Sequence, residues 1–312
     1  MRRFTSLPVS STSLSLVAAV AALSGACSLL LATDSVQCST DADCVSHGLL
    51  GSTCARNVCV AAADSGLADS VPDTGPVDPK WGCLGHIAKY PPMDPSTTVH
   101  VVQRFVDLSL EKPIQGIGLK ACPAFGDCST PFFSGTTDAD GLVNVAIPKY
   151  FVGYLDISSP PGGDMIPALQ YFTAPPDKDL LTIPPALSSS HMVAKGDLAA
   201  LQALVHANND PSAGFVFGSV NDCTGTPAAG VSISVGTKGI NTVTYYTDSS
   251  RLPSDTLTET SERSECGFAN LPPGTVTITA TANAVSKKIG SYTIRVKAGV
   301  ITHLPMSPTP GP

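Results

Sequence analysis

The six histidines are the first residues to test for chemistry, because imidazole is both a common metal ligand and a general base. They stand at positions His47, His86, His100, His191, His206 and His303. None of them begins an HxxE pair, and none belongs to an HExxH or HxH motif, so the spaced ligands of a zinc peptidase are missing. The histidine pattern therefore predicts no metal site.

Motifs that carry a nucleophile are missing from the sequence as well. The chain has no Gly-x-Ser-x-Gly elbow and no GxxxxGK[ST] phosphate loop. Its Ser109-x-x-Lys112 pair precedes Pro113 at a predicted strand end, whereas penicillin-binding enzymes need such a pair on a helix with partner motifs. We therefore expect no catalytic residue, no cofactor and no enzymatic activity.

Cysteine is abundant, with ten residues in one chain, and this number requires either an oxidising compartment or a bound metal. Four of them form the pattern Cys38-x5-Cys44-x9-Cys54-x4-Cys59, in a segment with too little apolar content to build a core. Zinc ribbons use a CxxC knuckle, which this segment lacks, so we expect disulfides to hold it. Four cysteines allow three connectivities.

The N-terminus favours export over a metal-rich intracellular setting. Arg2 and Arg3 form a short charged region, and no further charge follows until Asp34. Within that uncharged run, Leu14 to Leu23 is apolar and rich in alanine, which is the composition of a secretory signal. Export would place the remaining cysteines where disulfides form.

The end of this signal, Leu23-Ser24-Gly25-Ala26-Cys27, resembles a bacterial lipobox, in which small residues precede a cysteine that receives lipid. It departs from the preferred pattern, because Ser24 replaces leucine three positions before the cysteine. The resemblance implies an envelope lipoprotein with a signal peptide over 1–26 and a membrane anchor on Cys27. With Ser28 next, it also implies the outer membrane or cell surface. The alternatives are cleavage without lipid, which gives a secreted or periplasmic protein, and an uncleaved anchor.

Charge is unevenly distributed along the chain, whose net charge is −7. Acidic residues concentrate in the small cysteine-rich module (27–60), in the linker that follows it (61–80) and in the middle of the chain (81–190). The linker is rich in Pro and Asp and has no aromatic residue before Trp81, so we expect an extended tether. No segment is basic enough to follow a phosphate backbone, which argues against a nucleic-acid partner.

Beyond the linker, apolar and polar residues alternate with a period of two between Gly, Pro and Asn turns, which is typical of half-buried antiparallel strands. The pattern is clearest over 211–307 and recurs over 81–190, while 308–312 forms a tail. The lone tryptophan, Trp81, opens the earlier region. We expect it to cover the core at the domain edge rather than to serve as a sugar-stacking platform.

A short helix is expected between these two regions, within the connector 191–210. Apolar residues recur there at helical spacing, at Leu198, Leu201, Leu204 and Val205. Asp197 suits the N-cap position, and the run from Asn208 to Pro211 ends the helix. Its single apolar face is expected to pack against one or both β-regions.

Two passages of the last region carry a family resemblance: Asn221-Asp222-Cys223-Thr224-Gly225-Thr226-Pro227-Ala228-Ala229-Gly230, and Cys266-Gly267-Phe268-Ala269-Asn270-Leu271-Pro272-Pro273-Gly274. They resemble the carboxypeptidase regulatory-like domain, a prealbumin-like β-sandwich of seven strands. Pro113-x-x-Gly116 matches Pro227-x-x-Gly230, so the two regions look like diverged copies. The resemblance implies a mainly β chain with two tandem antiparallel sandwiches, 81–190 and 211–307, each with its own core.

The same resemblance gives Asp138-x-Asp140-Gly141 a structural interpretation. In the family, a threonine–aspartate–glycine turn is a hairpin feature, so these carboxylates need no metal. An EF-hand is excluded, because Lys149 stands where the closing glutamate would be.

Disulfide pairing follows partly from resemblance and partly from parity. The run from Cys38 to Cys44 looks like small extracellular modules that pair first with third and second with fourth cysteine, which implies Cys38–Cys54 and Cys44–Cys59. Cys122 and Cys128 are close enough in sequence to pair locally. We favour Cys223–Cys266, within the last sandwich, which leaves Cys83 unpaired or available to another chain. The rival arrangement joins Cys83 to Cys223 and frees Cys266.

The expected function is non-catalytic: an exported envelope lipoprotein that displays its sandwiches for structural or adhesive binding to a surface partner. The alternative is a carbohydrate-binding module or an accessory subunit of a secreted hydrolase, so the partner is an unknown protein or polysaccharide. A long polar loop runs from Thr247 to Glu265. It is equally compatible with binding and with free growth of a surface loop, since closure entropy rises slowly with length.

Overall fold

A computed structural model describes residues 39–40, 42–43, 52–55, 58–61, 78–124, 128–181 and 190–310. The chain divides into two compact units, Met1–Asp73 and Thr74–Pro312. In the first unit, β1 (Ser52–Ala55) and β2 (Val58–Ala61) form an antiparallel hairpin. Within the described residues, no helix is long and apolar enough to cross a membrane.

Most of the predictions about export and the small cysteine-rich module concern residues that the structure does not describe. Cys27, Cys38 and Cys44 are among them, so lipidation and the pairings Cys38–Cys54 and Cys44–Cys59 stay predictions. Cys54 does take part in a disulfide, and it lies opposite Cys59 in the hairpin register.

The second unit is built almost wholly from strands, whose buried and accessible residues alternate as a period of two requires. Its strands are β3 (Asp94–Asp107), β4 (Gly118–Pro123), β5 (Phe133–Thr136), β6 (Leu142–Lys149), β7 (Gly153–Ser158), β8 (Ala168–Tyr171), β9 (Ser190–Met192), β10 (Gly214–Val220), β11 (Val231–Val235), β12 (Val243–Thr247), β13 (Pro253–Ser254), β14 (Glu265–Leu271), β15 (Gly274–Ala282), β16 (Lys287–Val296) and β17 (Ile301–Met306). One α-helix, α1 (Lys195–Leu204), and a short 3₁₀ turn, Asn283–Val285, complete its described part.

Two copies of one topology are visible in the strand pairings. In the first copy, β3 pairs antiparallel with β6 and parallel with β9, while β7 lies between β4 and β8. In the second copy, β10 pairs antiparallel with β14 and parallel with β17, while β15 lies between β11 and β16. The prediction of a mainly β chain with two related sandwiches is confirmed.

The repeated Pro-x-x-Gly motif makes the same contacts in both copies. In the first copy, the Thr137 hydroxyl donates to the Ile114 carbonyl at 2.7 Å. In the second, the Thr260 hydroxyl donates to the Ala228 carbonyl, also at 2.7 Å. Each hydroxyl also accepts the N–H of the residue that follows the motif's glycine, Ile117 in the first copy and Val231 in the second, at 3.0 Å. A threonine therefore ties each turn to the body of its sandwich.

The aspartate turn also recurs, and in both places its carboxylate is used by the backbone. Asp138 Oδ1 accepts the N–H groups of Asp140 at 2.9 Å and Leu142 at 2.8 Å. Asp248 Oδ1 accepts those of Ser250 at 2.8 Å and Leu252 at 2.9 Å. The hydrogen bonds of Asp138 fit the expected hairpin role, which requires no cation.

The two sandwiches are fused through one sheet, which the sequence pattern did not predict. β17 pairs in parallel with β8 as well as with β10, and this joins nine strands in the order β13-β12-β14-β10-β17-β8-β7-β4-β5. The three-stranded sheets β6-β3-β9 and β11-β15-β16 cover opposite faces of this large sheet. The pairing of β8 with β17 therefore makes both copies parts of one body.

The expectation that each sandwich has its own core holds for the second sandwich but not for the first, whose core is shared. Phe215 and Val216 are neighbours on β10 and so point to opposite faces. Val216 packs in the core of the second sandwich, whereas Phe215 belongs to the core of the first, together with Tyr245 and Ile301. The outer face of the second sandwich is thus buried against the first copy.

Helix α1 lies within the predicted connector but begins earlier than expected. Its N-cap residue is Ala194, which makes no side-chain capping bond, and Asp197 sits in the first turn. The Asp197 carboxylate instead accepts a hydrogen bond from the Ser109 hydroxyl at 2.6 Å. This contact ties the helix to the turn after β3. Leu198 and Leu201 pack on the core of the first sandwich, as the apolar spacing predicted.

The disulfide predicted between Cys223 and Cys266 is wrong, and Cys83 is not unpaired. Cys83 bonds Cys223, with their Cα atoms 5.7 Å apart, and Cys266 is a buried free thiol. Cys223 lies beyond the end of β10, where its N–H donates to the Lys80 carbonyl at 2.9 Å and draws in the segment that holds Cys83. Cys266 lies in mid-sheet opposite Gly218, with its side chain in the core.

The other local predictions about the larger unit agree with the structure. Cys122 bonds Cys128, with a Cα–Cα distance of 5.2 Å, so this predicted disulfide is confirmed. Trp81 is only 6% exposed, so it covers a core as expected, but that core belongs to the second sandwich and not to the region that Trp81 opens in the sequence.

Candidate functional site

A groove of about 540 Å³ lies on the outer face of the second sandwich, over the large sheet. Its floor consists of side chains at alternate positions of two parallel strands. These are Phe215, Phe217 and Ser219 on β10 and Ile301, His303 and Pro305 on β17. The volume falls in the range of small-molecule sites. Strand pairing holds the floor rigid, because every floor strand is hydrogen-bonded on both sides.

Strand register places the polar floor residues in two neighbouring rows. In the first row, Gln170 on β8 lies beside His303, which lies beside Phe217. In the second row, Ser219 on β10 lies beside Glu265 on β14. Neighbouring strands are about 4.8 Å apart, and successive residues on one face are about 6.7 Å apart. The rows thus form a compact patch of aromatic, imidazole, hydroxyl and carboxylate groups.

The walls of the groove come from both copies. Helix α1 contributes Leu198 and Leu201, and the end of β9 contributes His191. Across the groove, the loop after β12 contributes Arg251 and Pro253. Since one wall belongs to the first copy or its connector and the other belongs to the second, the groove exists only because the sandwiches are fused.

Two wall contacts set the position of polar side chains at the rim. His191 Nε2 lies 3.2 Å from the Glu111 carboxylate, which belongs to the turn after β3. The Ser190 hydroxyl donates to Gln170 Oε1 at 2.9 Å, and Gln170 Nε2 in turn contacts Gln103 at 3.2 Å. These bonds orient β9 against the large sheet.

The floor of the groove is poorly solvated, and its titratable groups respond to this. Burial lowers the pKa of His303 to about 4, and the nearby His191 adds to the effect. His303 is therefore neutral at physiological pH, with one nitrogen a donor and the other an acceptor. Burial also raises the pKa of Glu265, while Arg251 and a hydrogen bond from Thr247 oppose the rise.

A glycine on the floor makes room for an aromatic ring. Gly267 lies between Phe217 and Tyr245 across the sheet, and a β-carbon there would collide with the Val216 carbonyl and lie 2.5 Å from the Tyr245 hydroxyl. That hydroxyl donates to the Val216 carbonyl at 3.0 Å. Burial raises the pKa of Tyr245, so the phenol stays protonated and keeps this bond. The bare backbone of Gly267 thus lets the Tyr245 ring cross β14.

The sequence motifs did not single out the residues that meet here. His191 and His303 were tested only for metal motifs, and they stand 112 positions apart in the chain. The sequence gives Phe217 and Ser219 no role beyond the alternating pattern over 211–307, and it places Glu265 only at the end of the long polar loop. The loop from Thr247 to Glu265, whose role the sequence left open, supplies Arg251 and Pro253 to the groove. Alternation along β10 and β17 was the available signal, but it did not tell which face carries a ligand.

No metal cluster accompanies these residues in the part of the chain that the structure describes. No group of three or more His, Cys, Asp or Glu side chains there is placed to hold a metal ion.

Comparisons with known proteins identify no family for this chain. No family model matches it, and no curated protein is similar enough to count as a relative. The resemblance to the carboxypeptidase regulatory-like domain therefore remains a prediction.

Solved structures with partial similarity include two bacterial pilins. The Bacillus anthracis TIE protein is 11% identical with a TM-score of 0.25, over 67% of this chain and 33% of its own. The shaft pilin SpaA from Lactobacillus rhamnosus GG is 12% identical with a TM-score of 0.25, over 69% of this chain and 100% of its own. A streptococcal ancillary pilin is 13% identical with a TM-score of 0.20, over 68% of this chain and 69% of its own. Similarity this low carries no argument about function.

Proposed function

We propose that this chain is a non-catalytic binding protein of the bacterial cell envelope, which holds a surface partner in the groove between its two sandwiches. The groove is the observation that carries the proposal. Its floor is a continuous hydrogen-bonded sheet, and its walls come from both copies. Such a rigid, preformed site limits the entropy lost on binding.

The polar groups of the groove support binding rather than catalysis. His191 pairs with the exposed Glu111 carboxylate at the rim, and His303 lies beside Phe217 rather than beside a hydroxyl or thiol. A general base must lie within hydrogen-bond reach of the group that it activates. In the described groove, neither His191 nor His303 hydrogen-bonds a hydroxyl or thiol, and the Thr247 hydroxyl that donates to Glu265 belongs to a buried strand residue. We therefore infer that the groove side chains serve as contacts for a ligand.

A tether would present this groove outside the membrane. The near-lipobox that ends at Cys27 supports an anchor there, and the Pro- and Asp-rich stretch over 61–80 would separate the anchor from the sandwiches. The disulfide between Cys83 and Cys223 attaches the C-terminal end of that stretch directly to the second sandwich. The groove-bearing part would therefore be held firmly at the end of the tether.

Binding to isolated cell envelopes tests the groove. In the full chain, Phe217→Arg places a positive charge on the groove floor. We therefore expect binding of this variant to envelopes of the source cells to fall by about tenfold or more. The matched control is Val102→Arg, which adds the same charge on β3 away from the groove and should leave binding unchanged. Equal binding by both variants and the wild type would show that the groove is not the binding site.

Partition between detergent and water tests the anchor separately. Cys27→Ala should move the protein from the detergent phase to the aqueous phase, because a single cysteine would carry the lipid. An unmodified Cys27 in the intact mass of the mature protein would contradict lipidation. A retained segment 1–26 would instead show an uncleaved anchor.

A further inference from the structure

Several polar side chains of the groove make no side-chain hydrogen bond in the part of the chain that the structure describes. Among the described residues, the His303 ring, the Ser219 hydroxyl and the Arg251 guanidinium make no side-chain hydrogen bond or ion pair. His303 and Ser219 are half-buried on the floor, where unmade hydrogen bonds cost more than at an open surface. A bound molecule that offers both donors and acceptors would satisfy them.

The charges around the groove favour a ligand without net charge. The carboxylates of Glu111 and Glu265 oppose an anion, and Arg251 is the one cation that offsets them among the lining residues. A cation would meet the Arg251 guanidinium. The neutral His303 ring accepts on one side and donates on the other, which suits hydroxyl groups best.

The floor also offers an apolar surface beside these polar groups. The Phe217 ring is half-buried, with its centroid 6.1 Å from that of His303, and the Leu198 and Leu201 side chains face it from α1. A ligand that fits here has an apolar C–H face and a rim of hydroxyls. A sugar ring has this combination, because its C–H groups lie on its faces and its hydroxyls around its edge.

The spacing of the polar groups sets the length of the ligand. His303 lies on β17 and Glu265 on β14, with β10 between them, and register places them one row apart. Strand geometry then separates the two residues by about 12 Å. A single sugar ring is too short to reach both, whereas two linked rings span this distance.

We propose that the groove binds a neutral disaccharide unit of a glycan, with one ring on Phe217 and hydroxyls hydrogen-bonded to His303, Ser219 and Glu265. This inference rests on the proposed function and specifies the ligand of the same site. It places the first ring over the Phe217–His303 row and the second over the Ser219–Glu265 row. Arg251 borders the second row from the loop after β12.

Titration with neutral, cationic and anionic sugars tests the ligand class. The neutral probes are the disaccharides cellobiose, maltose, lactose and N,N′-diacetylchitobiose. Glucosamine is the cationic probe, and glucuronate is the anionic probe. Each is added to the ¹⁵N-labelled full chain, and the imidazole signals of His303 are followed by NMR. We expect saturable shifts with at least one neutral disaccharide, and binding about tenfold weaker or more for both charged sugars.

Variants distinguish the groove from other surfaces. Phe217→Leu keeps an apolar floor but removes the ring, and Ser219→Ala removes one hydroxyl. Each should weaken disaccharide binding by about tenfold. A control substitution outside the groove, His100→Gln on β3, should leave disaccharide binding as it is in the wild type. Amide signals that stay unchanged for residues outside the groove would show that the variants are folded.

Three results would overturn the assignment. They are no saturable shift with any disaccharide at millimolar concentration, tighter binding of glucosamine that is lost in Glu265→Gln, and disaccharide binding by Phe217→Leu and Ser219→Ala that equals that of the wild type. None of these bears on envelope binding by the Phe217→Arg variant, so the ligand class can fail while the proposed function stands. Loss of the groove effect on envelopes would contradict the proposed function itself.

Discussion

At the scale of single residues, the groove floor depends on one residue without a side chain, Gly267, and on one histidine that stays uncharged, His303. Gly267 is the clearest case, since any β-carbon there meets the Val216 carbonyl. His303 is the second, because its ring stays uncharged on the floor. Gly267 leaves room for the Tyr245 ring, and His303 offers a neutral donor and acceptor. Both features can be tested by substitution.

Gly267→Ala should destabilise the protein, because β14 or the Tyr245 ring must shift to admit the methyl group. We expect a loss of about 1–3 kcal/mol in the free energy of unfolding, measured by urea denaturation. Gly236→Ala is the matched control, since a β-carbon at Gly236 meets no atom within 4 Å. Its effect should stay within about 0.5 kcal/mol. Equal effects of the two substitutions would argue against crowding at Gly267.

The protonation of His303 should be visible in a pH titration. Its pKa in the folded protein is lowered to about 4 from an ordinary value of 6.5. Between these values the unfolded chain binds a proton at this residue and the folded chain does not, so this residue makes stability fall as pH decreases from 6.5 toward 4. Glu265, whose pKa is raised, acts in the opposite direction. We therefore expect a flatter acid limb of stability for His303→Gln.

NMR separates the two contributions, because it follows the His303 ring itself. The imidazole signals should remain those of the neutral form down to about pH 5, while the exposed His206 ring serves as the reference. A midpoint for His303 near its ordinary value would mean that water reaches the floor freely. That result would remove the argument for a neutral hydrogen-bonding ring.

At the scale of elements, the link from Cys83 to Cys223 joins the entry of the larger unit to the strand that forms the groove floor. It closes a loop with a sequence separation of 140 residues, which encloses the first copy and the connector helix. The disulfide between Cys122 and Cys128 has a separation of 6 residues. A longer closed loop removes more entropy from the unfolded chain.

Removal of the two disulfides by serine pairs should therefore have unequal effects. The loop-closure relation assigns about 5 kcal/mol to the Cys83–Cys223 link and about 2 kcal/mol to the Cys122–Cys128 link. We expect Cys83→Ser with Cys223→Ser to lower the denaturation midpoint more than Cys122→Ser with Cys128→Ser does. A larger effect of the short loop would contradict the entropic account.

Peptide mapping without reduction checks the connectivity itself. A tryptic peptide that joins Cys83 to Cys223 is expected, with Cys266 recovered as a free thiol. Burial raises the pKa of Cys266, so iodoacetamide should modify it only after denaturation. A peptide that joins Cys223 to Cys266 would restore the pairing that the sequence favoured.

At the scale of the whole molecule, the parallel pairing of β8 with β17 makes the two copies one cooperative body. Phe215 and Ile301 belong to the second copy, but they are buried in the core of the first. The full chain should consequently show a single unfolding transition for both sandwiches. Fluorescence of Trp81 reports on the second core, and the near-UV signal of the tyrosines reports on both.

A fragment of residues 211–307 should be much less stable than the same residues in the full chain. Exposure of Phe215 and Ile301 alone costs about 3–6 kcal/mol, which is comparable to the stability of a small domain. We expect poor dispersion in its proton NMR spectrum. A fragment that melts cooperatively at the temperature of the full chain would show that the two sandwiches are independent.

The sequence was a sound guide wherever the determining interactions are local. Alternation along β10, β15 and β17 predicted strands, and the Pro-x-x-Gly repeat predicted two copies that share a turn. Cys122 and Cys128 were paired correctly because a short loop restricts their choice. The resemblance also accounted for the Asp138 turn, because the carboxylate and the N–H groups that it accepts lie within five residues.

The predictions failed where partners lie far apart in the chain. Cys223 had two candidate partners, and the choice depended on where residues 80–84 run relative to the end of β10. The expectation of a separate core failed for the first sandwich because the outer faces of β10 and β17 carry apolar residues, and alternation alone does not reveal what covers a face. The groove residues His191, His303 and Glu265 were not predicted for the same reason, because the fused sheet brings together three segments that are distant in the chain.

By itself, the sequence determined the strands, the two copies of one topology and the helical connector, because these follow from local periodicity and turn chemistry. It also predicts a signal at the N-terminus and an extended acidic linker over 61–80, and both stay predictions. Tertiary structure alone decided that β8 pairs with β17, that Cys83 bonds Cys223, and that a groove forms over Phe217 and His303. Each of these depends on which free strand edge or outer face meets another. Such contacts are chosen by the geometry of the whole fold and leave no local pattern in the chain.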